Sequence, residues 1–338
     1  VSGNGGAVEY DISAANPDAL ATINVTGDQS VTLLTDASNL DSLTKLDMND
    51  TTTAGTTTLI LGTTTPNGNI DLSTVDESAI IQMAVNEATA DVITLPANSN
   101  MVFNAAQTDI DITSAAATAS SNTANLSIDN SASAVTTHAL TALTSTNIKT
   151  VNMDMSLDSA ATTIGTWDVG AANNLNITIA ANGISSVTEI TAGALTVSGA
   201  GALTIGDNIT VSSMDATGVT GAVTVTADAG NVIQTGAGAD NVTAGDINVN
   251  VQLNGGNDTY NLSGDLTTAG TNTSYVVDFG DGNVDTLNVA DGATTNSAAV
   301  QLTNFEKVVL AGDATMRDTQ LSGISASVFG GSNSVLTV

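Results

Sequence analysis

The sequence predicts an all-β chain: a parallel β-solenoid or β-roll built from short strands and Gly/Asx-rich turns. Three observations point there. The apolar content is 41%, mostly Ala, Val and Ile beside abundant Thr, while aromatics are only 2%. Such small and β-branched residues suit pleated sheets with thin, regularly stacked cores. Glu occurs only at Glu9, Glu77, Glu87, Glu189 and Glu306, and every other acid is Asp. Asp favours turns, whereas Glu and Lys favour helix surfaces. Finally, apolar and polar residues alternate with period two in short runs separated by Gly, Asn and Asp, the pattern of strands with one buried face.

In chain order the runs include 21–26 (ATINVT), 57–61 (TTLIL), 110–113 (IDIT) and 175–179 (LNITI). They continue through 194–197 (ALTV), 202–205 (ALTI), 208–211 (NITV) and 222–226 (AVTVT). No run has a private core, and strand-turn units recur with similar content. Coils that stack and share one continuous core read this way. Tandem β-sandwich domains are the alternative, but they call for larger core residues, and Trp167 is the only Trp. One stretch, Asp76 to Ala90, carries a helix signal, because Thr74 and Glu77 have capping-box spacing. The β-branched Ile80, Ile81 and Val85 within it favour a strand instead.

The 338 residues are enough for one large domain or two ordinary ones. Against 34 acidic residues stand only Lys45, Lys149, Lys307 and Arg317, a formal net charge of −30. Neutralising nucleic-acid phosphates or anionic headgroups takes Lys and Arg, so neither is an expected partner. The attraction such a chain exerts is for cations. It has no Cys, which excludes disulfides and thiolate metal sites, and no apolar run of membrane-spanning length. The start at Val1, without a signal-peptide pattern, fits a processed product or a fragment of a longer protein.

From Val211 the turn chemistry tightens, which divides the chain into 1–210, a Thr/Ala/Asn-rich solenoid or sandwich region; 211–310, a Gly/Asp-rich roll that the repeats below make the expected calcium-binding part; and 311–338, expected to be a cap or, on the resemblance given below, a secretion and assembly segment. Within the middle segment, 235–243 (TGAGADNVT) matches the nonapeptide G-G-x-G-x-D-x-U-x, where U is large and apolar, at every key position but the first. The run 253–261 (LNGGNDTYN) matches its fourth, sixth and eighth positions, and 280–287 (GDGNVDTL) fits with one residue inserted. Asp240 and Asp258 are 18 residues apart, and Asp258 and Asp285 are 27 apart, two and three times nine. One nonapeptide makes a turn and a short strand, so 18 residues make a full coil. Asp240 and Asp258 should therefore share an edge in successive coils, with Val242, Tyr260 and Leu287 pointing into the core.

Calcium takes six to eight oxygens, carboxylate and carbonyl together, and stacked Gly-Asp turns supply both. The candidate Ca²⁺-binding residues are Gly236, Gly238, Asp240, Gly255, Gly256, Asp258, Asp278, Asp281 and Asp285. The plainer reading, Gly-Asx turns that merely join strands, leaves the 18-residue register unexplained.

The run 214–226 (MDATGVTGAVTVT), followed by 236–243 (GAGADNVT), resembles bacterial surface-layer (S-layer) proteins carrying RTX-type calcium-binding repeats. So do 276–287 (VVDFGDGNVDTL) and 302–308 (LTNFEKV), which are similar to the closing repeats of such proteins. The close resemblance covers about residues 210 to 310, and the repeats here are few and imperfect. The resemblance implies type I secretion, a calcium-bound β-solenoid and assembly into a lattice on the cell surface. The expected partners are further copies of the chain, with a cell-surface polysaccharide as a second candidate. Asp313 and Asp318 are candidates for carboxylates shared across a subunit interface.

Catalysis is not expected. His138 is the only His, no G-x-S-x-G elbow accompanies it, and Arg and Lys are too few to hold an anionic sugar. Asn-x-Ser/Thr sequons, such as those at Asn24 and Asn125, are what an Asn- and Thr-rich chain produces by chance. The function expected is that of a structural, self-assembling surface-layer protein. A secreted RTX-type adhesin or biofilm-matrix protein is the alternative, and should carry longer repeat arrays or a separate ligand module.

Overall fold

The computed structural model describes residues 8–12, 22–24, 30–35, 45–47, 57–62, 69–75, 79–84, 92–104, 109–114, 121–129, 138–155, 162–181, 184–227, 232–244, 249–264, 275–295, 300–321, 327–331 and 334–338. Two compact units, Val1–Ile177 and Thr178–Val338, make up the chain. The boundary expected near 210 follows turn chemistry and falls inside the second unit.

Each unit is a parallel β-solenoid, and helix is almost absent: among the described residues there is one turn, Asp318–Leu321. Strand pairings skip one strand in sequence, because each coil gives one strand to each of two sheets. In the first unit, Val8–Asp11, Val31–Thr35, Thr57–Leu61, Ile80–Met83, Ser99–Phe103, Thr123–Ile128 and Thr150–Met155 pair in that order, all parallel. The intervening strands Ile70–Asp71, Val92–Leu95, Asp109–Ser114 and His138–Thr146 form the second row. Parallel pairing throughout excludes the β-sandwich alternative, whose sheets are antiparallel. The strand Ile80–Met83 occupies the centre of the Asp76–Ala90 stretch, so the β-branched residues outweigh the capping signal there; residues 76–78 and 85–90 lie outside the described residues.

In the second unit the long strand Ile184–Gly199 pairs with both Leu203–Thr210 and Ser213–Val219. Beyond it one sheet runs Leu203–Thr210, Val223–Ala227, Asn241–Ala244, Thr259–Leu262, Thr286–Val289, Lys307–Leu310 and Ser327–Gly330. The other runs Ser213–Val219, Val232–Gln234, Asn250–Gln252, Tyr275–Asp278 and Val300–Thr303.

The alternation seen in sequence becomes columns of identical orientation. In the first unit Leu33, Leu59, Ile81, Met101, Leu126 and Met153 stack in register, each fully buried. In the second, Val225, Val242, Tyr260, Leu287 and Val308 do the same. Burying such a side chain contributes about 1.5–3 kcal/mol, so the column is what keeps coils in register. Tyr260, Phe279 and Phe305 add an aromatic cluster, with ring centroids 6.4 and 5.6 Å apart. It lies under the same coils as the candidate metal residues. Among the described residues no helix is long and apolar enough to cross a membrane.

Candidate metal site

The turns 235–240, 253–258 and 279–285 each join a strand of one sheet to a strand of the other, and they stack along one edge of the second unit. Each ends in a buried Asp immediately before a strand: Asp240, Asp258 and Asp285 are 1%, 0% and 0% exposed. The 18-residue spacing thus places Asp240 and Asp258 on one edge. Asp285, which an 18-residue coil would put on the opposite edge, joins them because the coil from Asp258 takes 27 residues, and Val242, Tyr260 and Leu287 point into the core. The third turn is one residue longer, and its Asn283 and Val284 stay at the surface with their backbone N–H groups directed to Asn257 Oδ1.

The three carboxylates form a ladder in which each reaches back one coil. Asp240 Oδ1 accepts from the Val223 N–H at 2.7 Å, Asp258 Oδ1 from the Asp240 N–H at 2.8 Å and Asp285 Oδ1 from the Asp258 N–H at 2.7 Å. Glu306 continues it, its Oε2 accepting from the Asp285 N–H at 2.8 Å. Glu306 escaped the sequence reading because Asn304-Phe305-Glu306 has neither the glycines nor the Asp of the repeat. The one available signal was its position directly before a strand, as with the three Asp residues.

Each carboxylate has a second oxygen, and these are left over. Asp240 Oδ2, Asp258 Oδ2 and Asp285 Oδ2 are buried without a hydrogen-bond partner of good geometry, although the Thr235 hydroxyl and the Gly236 N–H lie near enough to the Asp240 carboxylate to favour its charged form. Burial raises all three carboxyl groups above the ordinary range, Asp258 to about 7, and the neighbouring Asp240 and Asp285 charges push Asp258 the same way. For Asp285 the added repulsion comes from Glu306. Three half-satisfied carboxylates buried in a row are costly unless a cation or protons compensate them.

Backbone oxygen approaches the same row. A Cβ at Gly238 would lie 2.2 Å from the Gly221 carbonyl oxygen, and one at Gly256 would lie 2.0 Å from that of Gly238. A Cβ at Gly282 would meet Asp285 Oδ2 at 2.2 Å and the Gly256 oxygen at 2.5 Å. Only glycine fits, and the space it leaves is bordered by a carboxylate of one coil and a carbonyl of the next. That donor set, all oxygen and mixed in type, suits a hard divalent cation such as Ca²⁺. Among the described residues no three acidic or histidine side chains gather on one point, so backbone carbonyls must supply part of any ion's shell.

The nine candidate residues separate into two groups. Gly238, Asp240, Gly256, Asp258 and Asp285 belong to the ladder. Gly236, Gly255, Asp278 and Asp281 line a neighbouring groove of about 540 Å³ that also takes in Asn254 and Asn304. There Asp278 Oδ1 accepts from Gly280 N, Thr303 Oγ1 and Asn304 Nδ2, while Asp281 and Gly255 are joined by a backbone bridge. Those contacts organise the turn. Fold and site together define a parallel β-solenoid with a row of buried, half-satisfied carboxylates along one edge. No family model, curated protein or solved structure matches the chain.

Proposed function

We propose that this chain is an extracellular, calcium-binding structural protein, a surface-layer subunit whose copies assemble into a lattice at the cell surface, with a scaffolding rather than a catalytic role. The observation that carries the reading is the set of three buried carboxylate oxygens without hydrogen-bond partners on successive coils. Asp240, Asp258 and Asp285 would hold the ions, with carbonyl oxygens from Gly238 and Gly256 completing the shell. Bound calcium supplies the positive charge that buried carboxylates need, so ion binding and folding are linked. Secretion by a type I route fits the same linkage, since a chain kept loose at low calcium would fold outside the cell.

Self-assembly follows from charge. Copies at −30 repel one another, and divalent ions reduce that charge far more effectively than sodium screens it. Asp313 and Asp318 are exposed, each already accepting one backbone N–H, from Val335 and Thr319. Both remain available for a shared ion. Light scattering should rise with millimolar calcium and much less with sodium at matched ionic strength, and electron microscopy of the product should show sheets or tubes. Isolated rods that bind calcium without associating would favour the adhesin or biofilm-matrix reading.

A further inference from the structure

In the row of buried carboxylates each Asp peptide is held at both ends by the coil that follows it. The N–H of Asp240 and that of Asp258 are accepted by the next Asp carboxylate. Their C=O groups accept from the next strand, from Thr259 N for Asp240 and Thr286 N for Asp258, each at 2.8 Å. Asp285 is the last Asp of the row, and a different residue type takes over the grip on it. Glu306 Oε2 accepts its N–H at 2.8 Å, while Glu306 N and Lys307 N donate to its C=O at 3.1 and 2.9 Å.

The turn that carries Glu306 differs from the Asp turns. It is only 304–306, between Val300–Thr303 and Lys307–Leu310, against 253–258 and 279–285 for the two turns before it. It contains no glycine, whereas the gaps bordered by a carboxylate and a carbonyl oxygen lie at the missing Cβ atoms of Gly256 and Gly282. The two residues before Glu306 are pinned. Asn304 adopts φ +64° and donates from Nδ2 to Asp278 Oδ1 at 2.7 Å, and Phe305 is buried against Phe279. Glu306 itself is partly exposed, and its second oxygen is not among the buried atoms left without a partner. One more methylene than Asp lets it serve the Asp285 N–H from this shorter turn.

We propose that Glu306 is a positioning residue for calcium: it holds Asp285 in place to bind its ion and binds none itself. The inference rests on the calcium reading of the Asp row. A carboxylate that ligates acts through its charge, whereas one that positions acts through its reach and the hydrogen bond it accepts. Without Glu306 the N–H of Asp285, a residue 0% exposed, has no acceptor, and its carboxylate is no longer fixed against the Gly256 oxygen. Removing groups that orient a metal ligand from behind typically lowers metal affinity by about 10- to 100-fold.

Three substitutions separate reach from charge. Glu306→Ala removes the acceptor, and calorimetry should show about tenfold weaker binding of one calcium ion. Glu306→Gln keeps the length and an acceptor oxygen without the charge, and should lose no more than about threefold. Glu306→Asp keeps the charge but is one methylene short, and should lose as much as Glu306→Ala. In an Asp285→Asn background, which has already given up the same ion, Glu306→Ala should cost no further affinity. Amide exchange without metal gives a reading independent of calcium. The Asp285 N–H should exchange about tenfold faster in Glu306→Ala and Glu306→Asp and near the parent rate in Glu306→Gln. The Val223 N–H, at the far end of the row, should keep its rate in all three, which guards against a general folding defect. Equal losses of affinity in Glu306→Gln and Glu306→Ala would make Glu306 a ligand and overturn the positioning role. Parent-like affinity in Glu306→Ala overturns it too, and leaves the calcium reading in place. A parent that binds no calcium removes that reading, and this role with it.

Discussion

At Asp258 one carboxylate does two separable things. Its Oδ1 accepts from the Asp240 N–H, and its Oδ2 is buried without a partner. Asp258→Asn keeps an acceptor for Asp240 and removes the desolvated charge. Without calcium this variant should melt no lower than the parent at pH 8, and its calcium-induced rise in Tm should shrink. Asp258→Ala also strands the Asp240 N–H, an additional loss of about 1–3 kcal/mol. The pH dependence has a definite sign. Burial raises the folded-state pKa of Asp258 to about 7, above its unfolded value, so the folded metal-free protein holds that proton more tightly. The stability this contributes is complete below the unfolded pKa and is lost as pH rises through about 7. Metal-free parent should therefore lose Tm relative to Asp258→Asn between about pH 4 and 7. Calcium, which competes with the proton, should reverse the trend, and a flat difference across that range would show that Asp258 is not desolvated.

Among elements, the turns are the most demanding pieces, and adjacent glycines show why. Gly256 has φ +145° and its missing Cβ would lie 2.0 Å from the Gly238 carbonyl oxygen. At Gly255, the nearest atom is the Asp281 oxygen at 3.7 Å. Gly256→Ala should cost about 2 kcal/mol or more through backbone strain and coil separation, whereas Gly255→Ala should stay within about 0.5 kcal/mol. Urea melts of the two variants decide this, and equal losses would show that the coils are not held at that spacing. On the strand that follows the third turn, Leu287→Ala removes a fully buried member of the core column and should cost about 2–5 kcal/mol.

At the scale of the whole molecule, the charge of −30 opposes compaction, and the ladder concentrates that repulsion where the coils are closest. Circular dichroism with calcium and with chelator should therefore differ in melting temperature, and the loss on chelation should be larger at pH 8 than at pH 5, where protons can replace the ion. Identical curves would mean that the ladder is stable without a cation. The strands, the core alternation and the stacking of Asp258 on Asp240 were legible beforehand, because period two and an 18-residue coil are local rules; that Asp285 stacks next was not, because its coil takes 27 residues. Asp278 and Asp281, candidates that do not occupy the sixth position of the repeat, line a groove beside the ladder.

The order of residues by itself determined that this chain is a β-solenoid. Alternation sets which side chains face inward, glycine sets where coils can touch, and the 18-residue spacing of Asp240 and Asp258 sets that their turns coincide. Tertiary structure alone decided which oxygens are used and which are left. Whether a carboxylate is spent on a neighbouring N–H depends on the coil above it, as Glu306 shows by closing a ladder of Asp residues without sharing their motif. The contacts that decide it join residues 17 to 27 apart, and such a pairing cannot be seen from within any one turn.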